Sequence, residues 1–199
     1  MKTFYSIFSL IFVISIGFAQ KSQQDIPFYD YEDIVLTSEA TITDYEQKSN
    51  KLQITGTVYE SDGITPAKDV ILYLYQHDEN GEFQFVESNG SKRLRHRTWI
   101  KTDENGSYTF NTFVPGEAIV PLNYPRQYGP KQIYLVAKTE SSEDFNLPAF
   151  MFEGDDLLSK SCKKRLKRKG IDCILNPELK QDILVAEKNI TLPENPSIN

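Results

Sequence analysis

The run Leu52-Gln53-Ile54-Thr55-Gly56-Thr57-Val58, followed after the turn Asp62-Gly63-Ile64-Thr65-Pro66 by Val70-Ile71-Leu72-Tyr73-Leu74-Tyr75, decides the class of fold. β-Branched and aromatic side chains dominate both runs, and Asp, Gly and Pro break the chain between them, which is the composition of two strands joined by a turn. Working outward, Asp78-Glu79-Asn80-Gly81 and Asp103-Glu104-Asn105-Gly106 repeat one turn chemistry, with glycine supplying the positive φ of a tight reversal. Ser107-Tyr108-Thr109-Phe110-Asn111-Thr112-Phe113 then alternates polar and aromatic residues, the period-two pattern of a strand with one buried face. Ile133-Tyr134-Leu135-Val136-Ala137 and Ile183-Leu184-Val185-Ala186 add further strands. One helix is expected from Asp155 to about Lys169, where Leu157, Leu158, Cys162 and Leu166 fall near helical spacing and Gly170 stops the run. The expected fold is all-β, an antiparallel β-sandwich with one short C-terminal helix.

The flanks carry different information. Lys2 precedes an almost unbroken apolar stretch, Phe4 to Phe18, that ends in Gly17-Phe18-Ala19-Gln20, so residues 1–19 read as an export signal cleaved after Ala19. The stretch falls short of the roughly 20 apolar residues of a bilayer span, so no membrane insertion is expected once it is removed, with an uncleaved anchor as the alternative. The expected location is secreted or periplasmic. Residues 20–50 are polar and tyrosine-rich without a sustained period. They read as a mobile or late-packing extension and as a segment through which a homo-oligomer could form. The sandwich is assigned to 51–193 and a tail to 194–199.

Removing Lys2 from a net charge of −6 leaves −7, which argues against a nucleic-acid partner, since that function rests on a basic face. The exception is local. Lys163-Lys164-Arg165 and Lys167-Arg168-Lys169 form a dense basic run, read first as a solvated helix face and second as a contact for anions or membrane headgroups. Cys162 and Cys173 bracket it. In an oxidising compartment they form a disulfide contributing about 2–3 kcal/mol, or else remain two free thiols. The pair lacks the close spacing and the neighbouring histidine of a zinc site.

The order of motifs resembles the intradiol ring-cleavage dioxygenases. The resemblance rests on Gly56-Thr57-Val58-Tyr59-Glu60-Ser61-Asp62-Gly63, Pro66-Ala67, Asp69-Val70, Tyr75-Gln76, Asp78 and Gly81, and then on Arg97-Thr98-Trp99-Ile100-Lys101-Thr102-Asp103, Gly106, Tyr108 and Phe110. It continues through Tyr124-Pro125, Gly129-Pro130-Lys131-Gln132-Ile133-Tyr134 and Phe150-Met151-Phe152-Glu153-Gly154-Asp155-Asp156-Leu157-Leu158, covering about Leu52 to Leu192. It implies a β-sandwich of the intradiol dioxygenase type. The implied activity is cleavage of catechol-type rings between their hydroxyls by a non-haem ferric ion held by two tyrosinates and two histidines. Phenolate oxygens stabilise the trivalent metal, and imidazoles complete a pocket in which a dihydroxy-aromatic chelates it.

Residue by residue the chain departs from that ligand set. The two histidine positions fall on Gln132 and Tyr134, and the first tyrosine position falls most nearly on Arg95, a permanent cation that cannot bind a metal. Tyr124 fits the second tyrosine position if residues 116–123 are an insertion; a gapless register from Pro115-Gly116 puts Ala118 there. Only His77 and His96 exist in the chain. A remodelled ferric site would use His96 with Tyr124 and Tyr134. Against it, a histidine between two arginines is ordinarily solvated, His77 at a strand-to-turn boundary makes ordinary polar contacts, and Tyr134 in an apolar strand packs in the core. Serine or cysteine nucleophile signatures and phosphate-cradling loops are missing, and Asp155-Asp156 suits the positive end of a helix dipole. Two functions remain. The first is an exported, non-catalytic binding module for a small aromatic ligand, its cleft lined by Tyr124, Tyr128, Tyr134 and Trp99, with no cofactor. The second is a working dioxygenase with altered ferric-iron ligands. A starch- or peptide-binding accessory sandwich has no residue-level sign.

Overall fold

The computed structural model describes residues 28–31, 34–88, 90–120 and 124–194. The export signal at 1–19, residues 20–27 of the extension and residues 195–199 of the tail lie outside the described residues. In chain order the strands are β1 (Glu39–Thr41), β2 (Lys51–Tyr59), β3 (Ile71–Gln76), β4 (Phe85–Ser88), β5 (Ser91–Leu94), β6 (Arg97–Lys101), β7 (Ser107–Phe113) and β8 (Ala118–Val120). They continue as β9 (Gln127–Gly129), β10 (Ile133–Lys138), β11 (Phe145–Phe152), β12 (Ile174–Leu175), β13 (Glu178–Lys180), β14 (Ile183–Glu187) and β15 (Ile190–Thr191). A single α-helix, α1 (Lys160–Arg168), and one turn of 3-10 helix at Tyr45–Gln47 complete the described elements.

Two sheets form the sandwich. One runs β1-β7-β2-β14-β13 with β15 also on β2, and the other runs β12-β11-β10-β3-β6; β4-β5 and β8-β9 are separate hairpins. The core lies between the sheets and follows the alternation of the sequence. Leu52, Ile54 and Val58 of β2 and Tyr108 and Phe110 of β7 meet Leu72 and Leu74 of β3, Ile100 of β6 and Ile133, Leu135 and Ala137 of β10. Each such aliphatic side chain contributes about 1.5–3 kcal/mol relative to leaving it exposed.

Three details differ from the sequence reading. β1 pairs in parallel with β7, β14 and β15 with β2, and β12 with β11, none of these pairs being joined by a hairpin. The described part of the 20–50 extension is integral to the sandwich, with β1 in the first sheet, Ile42 and Tyr45 in the core, and Phe28 buried on the outer face of the second sheet. Helix α1 starts at Lys160, not Asp155, since Ser159 is the cap whose hydroxyl accepts the Cys162 amide. Asp155 is buried and serves the backbone instead. Its carboxylate accepts the Lys131 and Leu157 amides, tying the entry of β10 to the turn before α1. Cys162 and Cys173 are free thiols packed with the core.

Glycine at position 56 is dictated by contact. A Cβ there would lie 2.0 Å from the Lys188 carbonyl oxygen, which also accepts the Tyr108 hydroxyl at 2.5 Å. Backbone cannot swing aside as a side chain can. Gly56→Ala is therefore expected to destabilise the domain by about 2–3 kcal/mol through overpacking, read as a lowered urea midpoint at unchanged slope.

Candidate functional site

Strand β3 has two buried faces, and the candidate site follows from that. Leu72, Leu74 and Gln76 point into the sandwich, where the Gln76 amide donates to the Phe113 carbonyl at 2.9 Å and accepts from the Thr112 hydroxyl at 2.7 Å. The alternate residues Tyr73, Tyr75 and then His77 lie on the outer face. Register supplies their partners, pairing Tyr73 with Trp99 of β6 and Tyr75 with Tyr134 of β10. Both cross-strand pairs stack, with ring centroids 4.9 Å and 5.0 Å apart. The row is continuous because Tyr73 and Tyr75 also stack at 5.3 Å.

One end of the row is covered and the other is not. Phe28 packs edge-on against Tyr73, and its carbonyl accepts the Trp99 indole N–H at 2.9 Å. Asp30 holds this cover down through Arg93 at 2.6 Å and Arg97 at 3.5 Å. At the other end Tyr75, Tyr134 and Phe83 are half-buried, and His77 is buried beneath Phe83 with the two ring centroids 4.0 Å apart. The Nδ1 atom of His77 is buried without a hydrogen-bond partner. Burial pushes the His77 imidazole below its ordinary pKa against the opposing pull of Asp78, so it stands neutral. Burial also pushes the Tyr75 phenol up to about 12 and raises Tyr134.

The turn beneath this cluster is rigid. Asp78 accepts the Asn80 and Glu82 amides and the Gln84 side chain, and Gly81 turns at φ +81° where a Cβ would fall 1.8 Å from the Glu117 oxygen. Gly116 donates to the Asp78 carbonyl and Ile119 to that of Gly81, so residues 116–119 lie along the turn that leads to Phe83.

The residues singled out in the sequence divide into three places. Tyr134, one residue into β10, joins the cluster, and Gln132 sits half-buried just before that strand. Tyr124 does not join it, being fully exposed between β8 and β9, whereas Ala118, its gapless rival, is held against the turn at Gly81. Tyr128 is also largely exposed on β9. Arg95 and His96 lie on the inner side. Arg95 donates from Nε and Nη2 to the two oxygens of Asp44, at 2.6 Å and 2.9 Å.

His96 is not solvated as its arginine neighbours suggest. It is 3% exposed, edge-on to Phe113, with Nε2 3.6 Å from the Asp44 carboxylate and neither ring nitrogen hydrogen-bonded. Burial first, and then Lys48, lowers its pKa; Asp44 and Asp78 oppose them without prevailing. Sequence reasoning missed Tyr75, His77 and Phe83 as site residues. The spacing Tyr73, Tyr75, His77 carries the signal, since i, i+2 and i+4 share one face of a strand.

These donors do not fit the ferric set that the resemblance implies. Arg95 is a cation already paired, Gln132 and Tyr134 stand where the resemblance puts imidazoles, Tyr124 is fully exposed, and His77 and His96 lie on opposite faces of β3. Among the described residues no three His, Cys, Asp or Glu side chains gather as a metal site.

The architecture has known counterparts. The dioxygenase domain of a dioxygenase carbohydrate-binding protein fusion from Streptomyces sp. SirexAA-E is 16% identical with a TM-score of 0.56, over 79% of this chain and 88% of that one. Catechol 1,2-dioxygenase from Pseudomonas arvilla C-1 is 16% identical with a TM-score of 0.62, over 81% and 58%. The 3-chlorocatechol 1,2-dioxygenase from Rhodococcus opacus 1CP is 21% identical with a TM-score of 0.59, over 78% and 66%. The chain has an intradiol dioxygenase-like fold. It spans less than two thirds of the length of these two catechol dioxygenases. No family model and no curated protein matches the sequence.

Both histidines are neutral in the fold, with pKa values below the ordinary 6.5, so the unfolded chain binds more protons near that pH. Stability is therefore full above about pH 6.5 and is lost as pH falls below it. Thermal melts from pH 7 to pH 5 should show a falling midpoint in the wild type, a shallower fall in His96→Gln, and the shallowest in the His77→Phe/His96→Gln double variant.

Proposed function

We propose that the chain is an exported, non-catalytic intradiol dioxygenase-like sandwich that binds a small dihydroxy-aromatic at the uncovered end of its outer aromatic row. The observation that carries this reading is the buried, unpartnered Nδ1 of His77 beside the half-buried stack of Tyr75 and Tyr134. A planar ring extends the stack, worth about 0.5–1.5 kcal/mol beyond its buried area. A ligand hydroxyl satisfies the imidazole, whose isolation otherwise costs about 1–3 kcal/mol. Entry requires Phe83 to turn off the imidazole. The signal pattern at residues 1–19, a single Lys2 before apolar Phe4 to Phe18, supports export.

Loss of catalysis is supported by the donor chemistry. Buried phenols with raised pKa values favour the protonated, hydrogen-bonding form over an anionic ligand. The test is a visible spectrum and metal analysis of the exported protein after incubation with ferric iron, followed by calorimetric titration with catechol. The expected protein is colourless and binds catechol without turnover, with affinity falling about tenfold in Tyr134→Ala, the size of one lost ring stack. Stoichiometric iron with a tyrosinate band that disappears in Tyr134→Phe would overturn the reading in favour of a dioxygenase.

A further inference from the structure

We infer that the solvent face of α1 is a docking surface for anionic phospholipid. Residues 160–169 hold seven lysines and arginines and no acid, in a chain that has 22 basic and 28 acidic residues in all. The rest of the protein therefore has 15 basic residues against 28 acidic ones, so residues 160–169 carry a net positive charge on an otherwise acidic chain. No residue of α1 is buried, although Cys162 and Leu166 rest on the core, so the outward face is almost purely cationic. Among the described residues the one acidic side chain paired with it is Glu153, whose carboxylate meets Lys163 at 2.6 Å.

Beside the helix runs an open groove of about 610 Å³. Lys163, Lys164 and Lys167 line it together with the half-buried apolar side chains of Leu166, Ile171 and Ile174, and its two carboxylates, Glu153 and Asp172, are paired with Lys163 and Lys188. Cationic groups around an apolar floor match an amphiphile that carries phosphate at one end and hydrocarbon at the other. A nucleic acid offers the phosphate without the hydrocarbon, and as a long polyanion it would also meet the acidic remainder of the surface. A membrane plane needs to meet only α1 and its groove, whose carboxylates Glu153 and Asp172 already have lysine partners. Leu157, in the turn before the helix, is an apolar side chain 39% exposed. Among the described residues no helix is long and apolar enough to cross a membrane, so the association is peripheral.

The test uses the protein as purified after export and cosedimentation with vesicles of phosphatidylcholine, with or without phosphatidylglycerol. Binding is expected only with phosphatidylglycerol present and is lost as salt rises, because exposed charges are screened. Lys164→Gln/Lys167→Gln/Arg168→Gln should lower partitioning roughly a hundredfold, since each basic residue near an anionic surface contributes close to a factor of five. Glutamine keeps helix propensity, so thermal melting should be unchanged. Lys164→Arg/Lys167→Arg, which keeps the charge, should bind as the wild type does. Equal binding to neutral vesicles, full binding by the glutamine variant, or a preference for duplex DNA at matched phosphate concentration would each overturn the inference. None of these readouts involves catechol, so the two proposals fail separately.

Discussion

Burial of strand β3 on both faces is the constraint from which most of this molecule follows. A sandwich strand ordinarily shows one face to solvent, and Ile71, Tyr73 and Tyr75 cannot do so without exposing a row of large rings. The chain covers one end with its own N-terminal segment, using Phe28 and the Asp30 ion pairs to Arg93 and Arg97. At the other end the loop after Gly81 brings Phe83 onto His77. The N-terminal segment is thus part of the domain, and Tyr75 and Tyr134 are left half-buried at the place where the cover stops.

The inner face of the same strand has a different economy. Gln76 is buried and satisfied by Phe113 and Thr112, so it anchors the strand at little cost. His96, a short distance away, is buried and unsatisfied, and its nearest charge, Asp44, is already engaged by Arg95. The Arg95 hydrogen bond is the largest influence holding that carboxylate low, while burial first and Lys48 second keep His96 neutral. One imidazole on each face of β3, both neutral, makes the strand a source of pH sensitivity in the fold.

Much of the architecture was legible in the sequence, and the exceptions have local causes. β-Branched and aromatic runs located β2, β3, β10 and β14, and alternation located β7, within a residue or two, and the twin Asp-Glu-Asn-Gly turns have their glycines at positive φ as expected. Strand β11 was illegible because Pro148 lies within it; a shift of register opposite Ile133–Leu135 gives the proline a place that needs no ladder donor. The parallel strands were invisible because pairing direction depends on long connections. The site was half legible. Tyr134 belongs to it and the period-two pattern implied that Tyr75 and His77 would share its face, but motif order drew the assignment toward Tyr124 and Arg95. Motif order records where a ligand would stand along the chain, whereas burial and partners decide whether a side chain is there to bind.

That distinction bears on what the outer cluster can do. A trivalent metal needs anionic donors, and a phenol becomes one where its surroundings or the metal itself stabilise the phenolate. Around Tyr134 the neighbours are rings and a neutral imidazole, which favour the phenol instead. The basic residues that could offset an anion are engaged: Arg97, across from Tyr75, is turned to Asp30 and the Leu94 carbonyl, Arg95 lies on the inner side with Asp44, and the α1 cations surround their own groove. The same surroundings that work against a ferric centre suit an uncharged planar ligand, because stacking and one hydrogen bond to His77 require no counter-charge and little desolvation of ions. In the function proposed above, Gln132 and Tyr134, where the resemblance puts imidazoles, suit this face to dispersive recognition of a ring, while the double burial of β3 holds the framework in place.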